Sequence, residues 1–273
     1  MILADIYFER TANRPSFVDK YFRVVDLDEK VKDLSVLVKP NIVSYEPYPT
    51  TTHPETLREV IKHLQHSAKR TVVGDGKAFD CDTDITQHPL ALECKSLNVE
   101  FVDFSKTEMK TVRTESGFDL EISRMMFDFD VVISLPVLKY NFTTGLTGAL
   151  KNQYGFLSDE EKKHLHLCRD KNIHRAIAEL SRIRKPDFYV VDAVQTMICA
   201  QELRHGGRVY NDLGIMFAGT DPVSLDSYGF EILKDVEKRL RKVFRKAKPE
   251  QILHLKYAID FGVGKPDFDL KGL

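Results

Sequence analysis

The sequence predicts an α/β protein: a mostly parallel β-sheet with helices on both faces and an antiparallel hairpin excursion. Three observations carry this. Five short apolar runs, at 35–38, 71–73, 131–135, 188–191 and 215–218, are rich in Val and Ile and bounded by Gly, Pro or Asp, as buried strands of a parallel sheet are. Between several of them, apolar residues recur at three- and four-residue steps, the period of a helix resting on one face. Each run also ends in polar residues, and open α/β sheets bind ligands beyond the carboxyl ends of their strands.

In chain order, strand 35–38 runs into Lys39-Pro40-Asn41. Thr52-His53-Pro54-Glu55 then opens a helix carrying Leu57, Val60, Ile61 and Leu64 on one side. Thr52 with Glu55 fits a capping box, and His53, held extended by Pro54, fits an N-cap equally well. Strand 71–73 completes a β-α-β unit with an expected right-handed crossover. Residues 99–102 read as a strand, and 110–114 with 118–122 read as a hairpin around Glu115-Ser116-Gly117. Strand 131–135 leads through Pro136-Val137-Leu138-Lys139 to a short helix expected over 144–152, and a further helix is expected over about 170–184. Strand 188–191 ends at Asp192-Ala193, and strand 214–218 ends at Gly219-Thr220-Asp221. Asp221-Pro222 starts a long helix by cap-then-proline logic, with Leu225, Ile232, Val236, Leu240 and Val243 inward, and Pro249 starts a last helix to about Phe261. No linker divides the chain, so 1–273 is expected to be a single domain with the helices of 221–261 packed on it.

The bulk numbers exclude several function classes. A formal charge of -1 over 273 residues gives no field to draw in nucleic acid or a membrane surface. Cys81, Cys94, Cys168 and Cys199 are scattered, which is incompatible with a local zinc ribbon or ferredoxin-type cluster and fits a reduced cytosolic compartment. The opening Met1-Ile2-Leu3-Ala4-Asp5 breaks at an acid and does not read as a signal peptide, and no apolar run nears the roughly 20 residues of a membrane span. A cytoplasmic protein is expected. Walker and G-x-S-x-G patterns are absent. Gly74-Asp75-Gly76 begins like a dinucleotide fingerprint but has Phe79 at its third glycine, and Asp80, Asp82 and Asp84 begin like a calcium loop that fails at Ile85 and Ala91. The basic stretch Lys238 to Lys248 reads as a solvated helix face, with Leu240, Val243 and Phe244 inward.

What remains is a set of polar groups at strand ends. A lysine after a strand is by default the first wet residue, but Lys39 and Lys139 stand at equivalent places after two strands, where two ammonium groups can clamp a carboxylate or phosphate or one can act as a base. Thr143-Thr144-Gly145 is expected at the start of a helix, whose free N–H groups favour an anion. Gly145 and Gly148 share a stripe that lets a ligand or a second backbone approach, with Lys151 and Asn152 one turn below. Asp75 and Asp192 end strands and serve either as turn formers or as ligands, leaving room for a divalent metal at Asp75, Asp192 or Asp226. Asp226 shares a helical stripe with Gly229, Phe230 and Leu233, where an unpaired carboxylate costs several kcal/mol. His174 stands four residues after Asp170, a spacing that permits a carboxylate-oriented imidazole. The expected site therefore has Lys139, Lys151 and Asp226 as catalytic candidates, and Lys39, Asn41, Thr143, Thr144, Gly145, Gly148, Asn152 and Asp192 as ligand-binding candidates. The expected ligand is a small phosphorylated or carboxylated molecule, and no ligand motif for a metal is present.

Lys39-Pro40-Asn41 followed by Thr51-Thr52-His53-Pro54 resembles the opening of the domain-of-unknown-function family 362. Pro136 to Lys139, Leu146 to Asn152, Asp192-Ala193 and Asp221 to Asp226 are similar to its later blocks, in order, over about 34–235. The resemblance implies an α/β domain without an established reaction. Some relatives are joined to a ferredoxin-like iron–sulfur module, whose cysteines this chain lacks. It also suggests a second role, as an accessory electron-transfer or assembly protein working with an iron–sulfur partner. The chain departs from the family pattern at Tyr140-Asn141, where Thr-His is usual, removing a general base or metal ligand, and at Met197 to Glu202, where a Gly- and Pro-rich stretch is usual.

Overall fold

The computed structural model describes residues 3–82, 84–168, 170–240 and 248–273; Met1, Ile2, Val243, Phe244 and most of the basic stretch lie outside them. Strand β1 (Ala4–Arg10) is followed by helices α1 (Arg14–Val24) and α2 (Leu27–Val31), then β2 (Ser35–Lys39), α3 (Pro54–Ser67), β3 (Arg70–Asp75), α4 (Pro89–Ser96) and β4 (Glu100–Asp103). The hairpin is β5 (Met109–Arg113) with β6 (Asp119–Ser123), and β7 (Val131–Ser134) returns to the sheet. A small hairpin of β8 (Lys139–Asn141) and β9 (Gly145–Thr147) precedes α5 (Ala149–Asn152), α6 (Asp159–Leu167) and α7 (Ile173–Ile183). The rest comprises β10 (Phe188–Ala193), β11 (Thr196–Ile198), β12 (Arg208–Tyr210), β13 (Ile215–Gly219), α8 (Pro222–Arg239), α9 (Leu253–Asp260) and β14 (Phe268–Gly272).

Eight strands form one sheet in the order β14-β1-β13-β10-β7-β2-β3-β4. Alternate residues of the central strands feed two cores, as the two-residue strand period requires. Leu37, Val72 and Val132 face α7, α8 and α9 through Ile177, Leu180, Phe230 and Leu255. Val36, Val38, Val73 and Ile133 face α1, α3 and α4 through Phe17, Tyr21, Leu57, Ile61 and Leu90. Helices on both faces and the separate β5–β6 hairpin are as predicted. At α3 the two capping readings resolve in favour of His53, whose ring nitrogen accepts from Glu55 N, while Thr52 Oγ1 instead joins Asn41 N to Leu135 O.

Two expectations change. β13 runs antiparallel to both β1 and β10, so Gly219 and Asp221 lie at the edge of the sheet opposite the other strand ends. The physical reason is the connection: residues 194–214 contain the β11–β12 hairpin and no α-helix, whereas a parallel return needs a crossover of a dozen or more residues, usually helical. Asp221 caps α8 there, accepting from Val223 N and Ser224 N. The helix expected over 144–152 forms only in its second half, as α5 from Ala149; Thr144 to Thr147 belong to the β8–β9 hairpin, with Gly145 at φ 87°. Asn141 causes this, because its side-chain oxygen accepts from both Thr143 N and Thr144 N and closes a turn in competition with the helix. β1, β14 and α6 had no strong sequence signal. Among the described residues no helix is long and apolar enough to cross a membrane.

Candidate functional site

The chain winds outward through β2, β3 and β4, then returns to place β7 on the other side of β2. This is a topological switch point, where strand ends diverge and leave a crevice. A cleft of about 390 Å³ opens there. Lys39, Asn41, Asp75, Lys139, Asn141, Thr143, Lys151 and Asn152 line it, joined by Lys77, Tyr154, Lys162, His166, Glu202 and His205. Chain segments far apart in sequence thus deliver lysines to one hollow.

Lys39 is fully buried, and its ammonium meets Asp75 Oδ1 at 2.6 Å, Pro40 O at 3.1 Å and Asn152 Oδ1 at 3.5 Å. Burial pulls Lys39 below and pushes Asp75 above their ordinary values, against the mutual attraction of the pair. The remaining Asp75 contacts are N–H donors from Ile42 and Gly76. Gly155 makes room for the pair, since a Cβ there would stand 2.0 Å from Asp75 Oδ1 and 2.9 Å from Lys39 Nζ.

Lys139, also fully buried, donates to Asn41 Oδ1 at 2.7 Å and to Thr50 O at 2.5 Å. Both acceptors are neutral, so desolvation dominates and draws the lysine down to about 7. Lys151 is half-buried on α5, with its ammonium 4.8 Å from the Tyr154 ring centre and no hydrogen bond or ion pair among the described residues. Burial and the neighbouring Lys162 and Lys39 lower it to about 8, against the attraction of Glu202. Lys162 donates to Lys77 O at 2.9 Å and Asp159 Oδ1 at 3.3 Å, and desolvation lowers it too. The acids in the cleft are engaged: Asp75 by Lys39, Glu202 and Asp80 by Arg204 at 2.7 and 2.8 Å. The uncompensated charge in the cleft is therefore positive.

Other sequence candidates lie elsewhere. Asp226 is outside the cleft lining, fully buried, and accepts Ala149 N at 2.6 Å and Leu150 N at 3.1 Å, so it caps α5 from another helix. Burial raises its carboxyl to about 7, with the two N–H bonds opposing. The space at Gly148 is filled by this carboxylate, since a Cβ there would be 2.2 Å from Asp226 Oδ1. Asp226→Ala is expected to strand two buried N–H groups and cost about 2–4 kcal/mol, read as a shifted urea midpoint; an unchanged midpoint would show that α5 needs no such cap. Asp192 is taken up by Arg14 Nε at 2.6 Å and Tyr48 OH at 2.6 Å, a buried latch fastening α1 to β10. Thr144, in the β8–β9 turn, and Gly145, which opens β9, are buried and outside the cleft lining. Asp75, Asp192 and Asp226 thus spend their oxygens on protein partners and form no cluster of metal ligands. His174 stacks on His254 at 6.3 Å, and Asp170 pairs with His164 instead. Lys77, Lys162 and Glu202 were missed: Lys77 lies two residues past the strand-end Asp75, in a turn read only as a failed dinucleotide fingerprint, Glu202 lies in a loop far from a strand end, and Lys162 sits on α6, where a lysine among acids reads as surface.

Comparison with known proteins agrees with the architecture. A thylakoid-associated protein of Synechocystis sp. is 26% identical over 208 residues, 73% of this chain and 63% of that protein. The lactate racemase apoprotein of Thermoanaerobacterium thermosaccharolyticum superposes with a TM-score of 0.56 at 15% identity, over 86% of this chain and 58% of that one, which establishes a shared α/β fold. The chain thus spans about six tenths of the length of these relatives. The family described as Domain of unknown function (DUF362) matches residues 36–231, the stretch that holds β2, β7, β10 and every lysine of the cleft, and the chain belongs to that family.

Proposed function

We propose that the cleft binds a small phosphorylated or carboxylated molecule and that the protein is an enzyme acting on it. The observation that carries this is the charge balance: Lys139 and Lys151 face the same hollow without a carboxylate in ion-pair contact, an arrangement that a bound anion neutralises. In this reading Lys151 supplies the anchoring charge, with Lys39, Asn41, Thr143 and Asn152 shaping the wall. Lys139, drawn to about 7, is matched to take or give a proton near neutrality, as proton transfer beside a carboxylate requires. Asp226 and Gly148 act through α5, which presents Lys151, and Asp192 holds the strand end in place. A small carboxylate is also the substrate class in the name of the lactate racemase that shares the fold. Its extension to this chain is our inference.

Sulfate, phosphate and lactate are the probes. Wild-type protein is expected to show a concentration-dependent rise in Tm, worth about 2.7 kcal/mol at a hundred times Kd. Lys151→Ala and Lys139→Ala proteins that remain folded should lose it. Undiminished stabilisation in both variants would refute the reading.

A further inference from the structure

We propose that His164, Cys168 and Asp170, at the end of α6, form a binding site for a borderline-soft divalent cation, zinc. His164 and Cys168 are four residues apart, which puts them on one side of the helix. Cys168 N donates to His164 O at 2.8 Å and keeps that helical spacing through the last turn. Asp170 Oδ1 lies 2.8 Å from His164 Nε2. The imidazole nitrogen, the thiol sulfur and a carboxylate oxygen all lie within 4.8 Å of one another, the one such group among the described residues.

An exposed His–Asp pair alone is an ordinary surface contact. The thiol changes the reading. Cys168 is a free, exposed cysteine with no partner among the described residues, and it completes a nitrogen, sulfur and oxygen donor set of the kind zinc takes. Zinc bonds of about 2.0–2.3 Å in a tetrahedron put neighbouring donors roughly 3.3–3.6 Å apart, so the thiol sulfur, within 4.8 Å of the other two donors, approaches by up to about an ångström while the 2.8 Å contact between His164 and Asp170 opens slightly. Part of the geometry is already held. Lys171, next to Asp170, is tied to Glu161 on α6 at 2.9 and 3.0 Å and to Asp119 O on β6 at 2.8 Å, which holds Asp170's neighbour against both elements. Three protein ligands leave a fourth position for water or another ligand, and binding releases the thiol proton to solvent. The site would also fasten the cleft's rim, because His166 and Leu167, between the ligands in sequence, line the cleft.

The test is a titration of the reduced full chain with Co²⁺, followed by Zn²⁺ displacement. The expected result is a near-ultraviolet thiolate-to-cobalt charge-transfer band at one equivalent, abolished by Zn²⁺. It should be absent in Cys168→Ser and present in Cys199→Ser. Zinc affinity should fall about tenfold or more in His164→Ala and in Cys168→Ser. As a measure that needs no variant, Zn²⁺ should protect Cys168, and not Cys199, from alkylation in the wild-type protein. A missing band, a band that survives Cys168→Ser, or alkylation of Cys168 at an unchanged rate under saturating Zn²⁺ would each overturn the proposal. None of these readouts depends on anion binding in the cleft.

Discussion

Lys39→Met is expected to cost the fold about 3–5 kcal/mol, because it leaves a carboxylate buried without its counter-charge. Asp75 is 1% exposed, and in the variant it would keep only the N–H donors of Ile42 and Gly76. Methionine fills much of the lysine's volume, so little of the loss comes from a cavity. The loss has a pH signature. A stranded Asp75 holds its proton in the folded chain and gives it up in the unfolded chain above about pH 4. The unfolded state then binds fewer protons, and the deficit grows as pH rises through that window. Urea unfolding at pH 5 and pH 8 measures this. The double variant Lys39→Met/Asp75→Asn should recover a large part of the loss. A deficit below about 1 kcal/mol that does not change with pH would show that the pair contributes little.

Sulfate affinity is expected to fall on the order of a thousandfold between pH 6 and pH 9, the second large effect. Sulfate keeps its charge over this range, so the change reports on the protein. Lys139 at about 7 and Lys151 at about 8 are both charged at pH 6 and both largely neutral at pH 9. The groups facing them are Glu202, Glu46 and Asp75, which hold the charge on, and Lys162 and Lys39, which drive it off. Without ligand, the same lowered values give the opposite slope for stability. Between about pH 7 and 10 the unfolded lysines still carry protons that the folded ones have shed, so stability rises with pH across that window. Calorimetric titrations across the range, beside urea midpoints without anion, check both signs. An affinity that is flat with pH would remove Lys139 and Lys151 from binding.

Much of the lining of the candidate cleft was legible from strand ends. Lys39, Asn41, Lys139, Lys151 and Asn152 were found because charged or amide residues directly after Val- and Ile-rich runs, or one short helix later, must emerge at the carboxyl edge of the sheet. Asp192 has the same strand-end signature and Asp226 a helical-stripe one, and both have a different fate. Whether a carboxylate turns toward a cleft, an arginine on α1 or the N–H groups of α5 depends on which elements pack beside it, and Arg14 and Ala149 are 178 and 77 residues away from their partners. Lys162 shows the converse, a lysine in an acidic helix whose burial arises only when α6 closes over the loop after β3.

The sequence by itself determined the α/β class, the buried strands and their turn residues, because alternation, apolar runs and capping are short-range effects that each segment carries with it. Tertiary structure decided the direction of β13, the burial of the Lys39–Asp75 pair, the neutral surroundings that draw Lys139 toward 7, and the use of Asp226 as a cap. The reason is that charge and proton affinity are set by what surrounds a group in space, and desolvation and pairing arise only when distant segments meet.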